Sequence, residues 1–154
     1  MRIPNALPLA RLLLAAGAGA LVAAACGPGA ARGPRVLVDG HPIEVEVVRT
    51  PEARARGLSG RPSLPRGRGM LFLFDHADRH GFWMPDMHFD IDIVWIRDGR
   101  IVDLARNVPH EVEGPLPLYR PREPAKVVLE VPAGTADELG WEIGDPVVFE
   151  PAPR

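Results

Sequence analysis

One cysteine, Cys26, is all that the 154 residues contain, so no intrachain disulfide can form and the fold must be held by packing. The length allows this, because the domains that need cross-links are those below roughly 40 residues. An excess of positive charge is missing as well: 18 Lys and Arg stand against 20 Asp and Glu. Nucleic-acid binders show basic stripes and a pI above about 9, so no nucleic-acid partner is expected. No apolar run reaches the roughly 20 residues that cross a bilayer. Neither a Gly-x-Ser-x-Gly elbow nor a phosphate-loop glycine spacing occurs, and Ser59 and Ser63 have no recognisable catalytic partner. A binding or accessory role is therefore expected ahead of an enzymatic one. The chain contains no internal repeat.

What is present begins with a leader. Arg2 and Arg11 flank an apolar run from Leu12 to Ala25, the shape of a signal peptide over residues 1–25. Val22-Ala23-Ala24-Ala25-Cys26 resembles the lipobox of bacterial lipoproteins, with Ala23 where Leu is usual. Lipidation of Cys26 is expected, and acyl chains contribute about 0.8 kcal/mol per buried CH₂, enough when multiple to anchor a soluble body to a membrane. The alternative is cleavage after an Ala-x-Ala site, leaving a free thiol on a secreted protein. Residues 26–34, rich in Gly and Pro, read as a flexible tether, and residues 35–151 as one globular domain. The expected location is the cell envelope, with the domain on the periplasmic side.

The domain reads as mainly β, a partly closed barrel with two short helices. Val36-Leu37-Val38 and Ile43 to Val47 flank Asp39-Gly40, a pair suited to a tight hairpin turn. Thr50 as N-cap, Pro51 in the first helical position and Gly57 as stop define a short helix. Met70 to Phe74 is a buried strand. From Asp86 to Ile96 polar and apolar residues alternate, predicting a strand that pairs back across Asp98-Gly99. A two-residue loop there pairs Ile96 with Ile101, Val94 with Asp103 and Asp92 with Ala105. Asn107 to Pro124 holds five prolines and is a stiff surface connection. Lys126 to Val131 is a strand. Thr135 and Glu138 read as a capping box, Gly140 as a helix stop, and Gly144-Asp145 as the turn into a final strand, Pro146 to Glu150.

These residues resemble a known family. Gly57-Leu58-Ser59-Gly60-Arg61, Gly69-Met70-Leu71-Phe72, Phe82-Trp83-Met84, Ile91-Asp92-Ile93, Val128 to Gly134 and Ile143-Gly144-Asp145 stand in the order and spacing of the DUF192 family, also called UPF0127. The resemblance spans roughly residues 36 to 150. It implies a compact, mostly β domain of unknown function, often behind a secretion signal, and it brings no catalytic residues. Pro85-Asp86-Met87 and Asp90 depart from the family pattern.

Three groups of residues suggest chemistry. Asp86, His88 and Asp90 recur at every second position, which on a strand places them on one face and makes them candidate ligands of a divalent metal. This acidic face of the 86–107 hairpin carries the alternative reading, a metal-binding protein or metal-assisted hydrolase; otherwise no cofactor is expected. Asp92, flanked by isoleucines, is expected to be a buried acid bonded to backbone or to an arginine. Arg56 and Arg61, with Arg54, Arg66 and Arg68 nearby, are candidates for binding an anion. His76 and His80 stand at a helical spacing, and His110-Glu111 could approach either cluster. Trp95 and Trp141 are expected in the core, and Trp83 is counted with the structural residues while its place, core or surface, is left open. The expected partners are a membrane, through the lipid anchor, and a small molecule or envelope protein.

Overall fold

The computed structural model describes residues 33–150. The leader, Cys26 and residues 26–32 of the tether lie outside the described residues, as does position 151. Among the described residues no helix is long and apolar enough to cross a membrane.

Seven strands form one sheet: β1 (Arg35–Val38), β2 (His41–Val48), β3 (Arg68–Asp78), β4 (Ile91–Arg97), β5 (Arg100–Val108), β6 (Ala125–Pro132) and β7 (Val147–Glu150). Two short helices, α1 (Pro51–Arg56) and α2 (Thr135–Glu138), complete it. The spatial order is β5-β4-β6-β3-β2-β1-β7. All neighbours are antiparallel except β2 and β3, whose parallel pairing needs the crossover that contains α1. The sheet curls until its ends touch. Arg100 bridges Pro146, the amide of Ile101 donates to Asp145 O at 3.0 Å, and that of Val147 to Gly99 O at 2.7 Å. The result is a half-barrel, closed at that end.

Local chemistry explains most of the elements. Asp39-Gly40 and Asp98-Gly99 turn with φ of 47°, 79°, 51° and 71°, the left-handed pairs that match the twist of a hairpin. Thr50 accepts from the Ala53 amide at 3.2 Å, Pro51 opens α1, and the Gly57 amide returns to Ala53 O at 3.0 Å. Gly69 is required for close approach, since a Cβ there would lie 2.7 Å from Glu130 O on β6.

Both faces of the sheet are packed. Inside the curl, Val36, Ile43, Leu71, Val94, Ile101 and Val147 meet Trp141 and Ala136. On the outer face, Met70, Phe72, Ile93, Trp95 and Val128 are covered by Leu58, Met84 and the segment carrying Tyr119. Strand β4 is therefore buried on both sides, as its central place demands.

The structure corrects the expected hairpin in two respects. Residues 86–90 are not strand: Asp86 lies at φ 51°, the amide of Gly60 donates to Asp86 O at 2.7 Å, and Ser59 Oγ donates to Pro85 O at 2.8 Å. This stretch is held by the 58–60 loop instead of by a partner strand. Second, the pairing Ile96 with Ile101 holds, but Trp95 faces Asp103, Val94 faces Leu104 and Ile93 faces Ala105, and Ile91 then faces Val108. Two bulges shift the register, one next to the turn and one at Asn107, which takes φ 50°.

The expected capping box is also corrected. Thr135 is already inside α2, Gly134 at φ 80° precedes it, and no side chain of the box caps the helix. Thr135 donates to Pro132 O, and Glu138 pairs with Arg66 at 2.9 Å. A residue from another strand has taken the role, as described next. Gly144, at φ 101°, and Asp145, whose carboxylate accepts from the Glu142 amide at 2.7 Å, form the turn before β7.

Candidate functional site

Two buried acids stand out, and they differ in kind. Asp92, fully buried on β4, is saturated by backbone donors. Its Oδ1 accepts from Asn107 N at 2.7 Å and Gly134 N at 3.2 Å, and its Oδ2 accepts from Ala136 N at 2.8 Å. It thus stitches the β5 bulge to the start of α2, and its full burial keeps it from any ligand.

Glu130 is the opposite case. It lies on β6 between Met70 of β3 and Ile93 of β4, is 5% exposed, and no hydrogen bond or ion pair among the described residues reaches its carboxyl. Burial alone pushes its pKa up to about 8. An unpaired buried carboxyl is costly to fold around, and here it faces a cavity of about 250 Å³ instead of packed side chains.

The cavity lies between the end of α1, the outer end of β3 and the loop 80–87. Its walls are aromatic and thioether groups. Phe82 meets Phe72 edge-on with centroids 5.0 Å apart, and Phe74 at 6.4 Å. His80 stacks on Phe74 at 3.6 Å, and the guanidinium of Arg54 sits 4.9 Å from the centre of the Phe74 ring. Met84, Met87 and Trp83 add to these walls, and the stretch from Ala55 to Ser59 closes the side at α1. The loop that carries these groups is braced: Trp95 Nε1 donates to His80 O at 3.1 Å, and Phe82 and Tyr119 exchange backbone bonds of 2.8 and 2.7 Å. Arg54 is committed to the carbonyls of Arg49 and Leu73. Arg56 is exposed at the rim.

Trp95 and Trp141 are buried, but Trp83 is 59% exposed, so its structural assignment is corrected: it is a rim residue of the cavity. Its neighbours explain this, because Met84 turns inward and takes the core position. The candidate metal residues do not come together. His88 Nε2 lies 3.9 Å from Asp86 Oδ1, while Asp90 turns to His110, accepting from its ring at 2.6 Å and its amide at 2.8 Å. Those two bonds hold the Asp90 carboxyl below the usual carboxylate range. Among the described residues no group of three or more His, Cys, Asp or Glu side chains is placed to hold a metal ion. The strand face that would have aligned them is the coil described above. His76 stands near the end of β3 and His80 in the loop that follows, with ring centres 5.8 Å apart and no helix joining them.

The arginines also disperse. Arg61 pairs with Glu46 at 2.8 Å and lines a different cleft from Arg56, Arg66 pairs with Glu138, and Arg68 with Glu44 at 2.9 Å. The pair Arg56 and Arg61 therefore does not converge on one anion. Glu130 escaped the sequence reading, although one signal was visible: it is the lone charge inside Val127-Val128-Leu129-Glu130-Val131.

The fold and motifs place the protein in a family. The model of DUF192, described as an uncharacterized ACR, matches residues 35–149. The chain belongs to the DUF192 family. A crystal structure of a protein of unknown function from Novosphingobium aromaticivorans is similar, with 32% identity and a TM-score of 0.68, covering 74% of this chain and 83% of that one. A second, from Sinorhizobium meliloti and described as a candidate transcription regulator, is similar at 32% identity and TM-score 0.68, covering 80% of this chain and 98% of that one. No curated protein matches the chain. The DUF192 domain is thus a mostly β half-barrel of unknown function, and Glu130 belongs to the Val128 to Gly134 motif on which its resemblance rests.

Proposed function

We propose that this DUF192 domain is a small-molecule binding module of the cell envelope, tethered to a membrane through an acylated Cys26, and that its ligand occupies the cleft above Glu130. The observation that carries the reading is an unpaired carboxyl, 5% exposed, facing a cavity of about 250 Å³ walled by aromatic and methionine side chains. A buried titrating group with a perturbed pKa, set in a cleft, marks a candidate ligand site. Binding is favoured over catalysis because no second acid or base among the described residues hydrogen-bonds to Glu130. The envelope location rests on the leader and on Cys26 behind it.

Native mass spectrometry of the full chain, isolated gently from its own envelope, tests both halves. A diacylglyceryl mass on Cys26 and a retained small molecule lost in Glu130→Gln are expected. An unmodified Cys26 removes the anchor, and a retained ligand indifferent to Glu130→Gln removes the site.

A further inference from the structure

We propose that the occupant of this cleft is an organic ammonium, a primary amine on an apolar body of about the size of one aromatic ring, whose head group is received by the Glu130 carboxyl. The inference rests on the reading of the cleft as a ligand site and adds the chemical class. Glu130 lies at the cavity wall without a donor of its own, so the site lacks a hydrogen-bonding cation. The rings of Phe82 and Trp83 line the approach, and ring faces attract ammonium groups.

The cations already present do not fill this need. The charged or titratable groups lining the cavity besides Glu130 are Arg54, Arg56 and His80, and the strand neighbours on either side of Glu130 are Met70 and Ile93. Arg54 is bound to the carbonyls of Arg49 and Leu73, His80 Nε2 contacts His76 O at 3.1 Å, and Arg56 is exposed at the rim. An anionic ligand fits less well, because the buried acid repels it when ionised and offers it a single O–H when protonated. A metal fits less well again, since the cleft supplies one carboxylate where hard cations take six or so oxygens.

The proton balance is definite. Burial keeps Glu130 protonated to about pH 8, so a ligand arriving as R–NH₃⁺ at neutral pH meets a carboxylic acid. On binding, the carboxyl O–H breaks and its proton leaves to the buffer. The carboxylate then accepts N–H bonds from the ammonium, which keeps its own three protons.

Calorimetric titration of the full chain with benzylamine, in two buffers of different ionisation enthalpy at pH 7, measures this directly. Release of close to one proton per amine is expected, with affinity rising about tenfold per pH unit below about pH 8 and levelling above it. Glu130→Gln keeps the fold and loses both binding and proton release. Trp83→Ala, at an exposed position, weakens binding severalfold without lowering the melting temperature. Benzyl alcohol and phenylacetate, of the same shape, bind more weakly. If either of them binds in a Trp83-dependent way and benzylamine does not, the ammonium is overturned and the cleft stands as a site. If benzylamine binds Glu130→Gln equally, or binds without proton release, the proposal fails. If none of the three probes saturates, the cleft reading fails with it.

Discussion

Among single side chains, Asp92 and Glu130 show how one chemical group, the carboxyl, takes opposite roles from its surroundings. Asp92 is buried with three backbone donors within 3.2 Å, and it serves as the cap that the α2 sequence lacks. Removing it in Asp92→Ala takes this acceptor from the amides of Asn107, Gly134 and Ala136, and stranding the buried one, at Ala136, costs about 1–3 kcal/mol. We expect a loss of about 2–3 kcal/mol in urea denaturation, with faster amide exchange at Asn107 and Ala136. Asp103 lies between these extremes: burial raises its pKa, and the bonds from Arg122, at 2.7 and 2.9 Å, outweigh that and lower it. That pair ties the proline-rich 109–124 connection to β5.

Among the elements, β3 and β6 approach closely at Gly69. Gly69→Ala would push a methyl group to 2.7 Å from Glu130 O and 3.0 Å from Leu129 Cδ1, and backbone cannot give way as a flexible side chain can. A loss of about 1–3 kcal/mol is expected, with shifted NMR resonances along both strands. The same elements show what could be read from the chain before its structure. Both Asp-Gly turns, the Thr50-Pro51 opening of α1 and the apolar runs of β3 and β6 act through neighbours in sequence, and each was legible. The bulges in β5 were not, because Asn107 adopts its left-handed conformation to donate to Asp92, a residue 15 positions away. Nor was the coil at 86–90, which is held by Ser59 and Gly60, and without it Asp86, His88 and Asp90 do not share a face. The cleft was invisible for the same reason, since it joins α1, β3, the 80–87 loop and β6.

For the molecule as a whole, the pH dependence of stability follows from these acids. Glu130 goes from an ordinary 4.5 to about 8 on folding, so between those values the unfolded chain has released a proton that the folded chain retains. Stability therefore falls as pH rises through that window, by on the order of a few kcal/mol, and is level above it. Asp90 and Asp103, lowered from 3.8, act at the other end: their contribution is present above that value and is lost as the pH drops through their folded values. Urea midpoints from about pH 2 to about pH 9 should show a maximum near pH 4, and Glu130→Gln should flatten the limb above it only. The place of Asp92 has a last consequence for how the half-barrel reaches one arrangement. A slip of β4 by a single residue would swing that acid to the side of Trp95 and Phe72, away from every amide that satisfies it. The hairpin is thus keyed by an acid that fits only one alignment, and a misthreaded form carries the cost of an unsatisfied carboxylate.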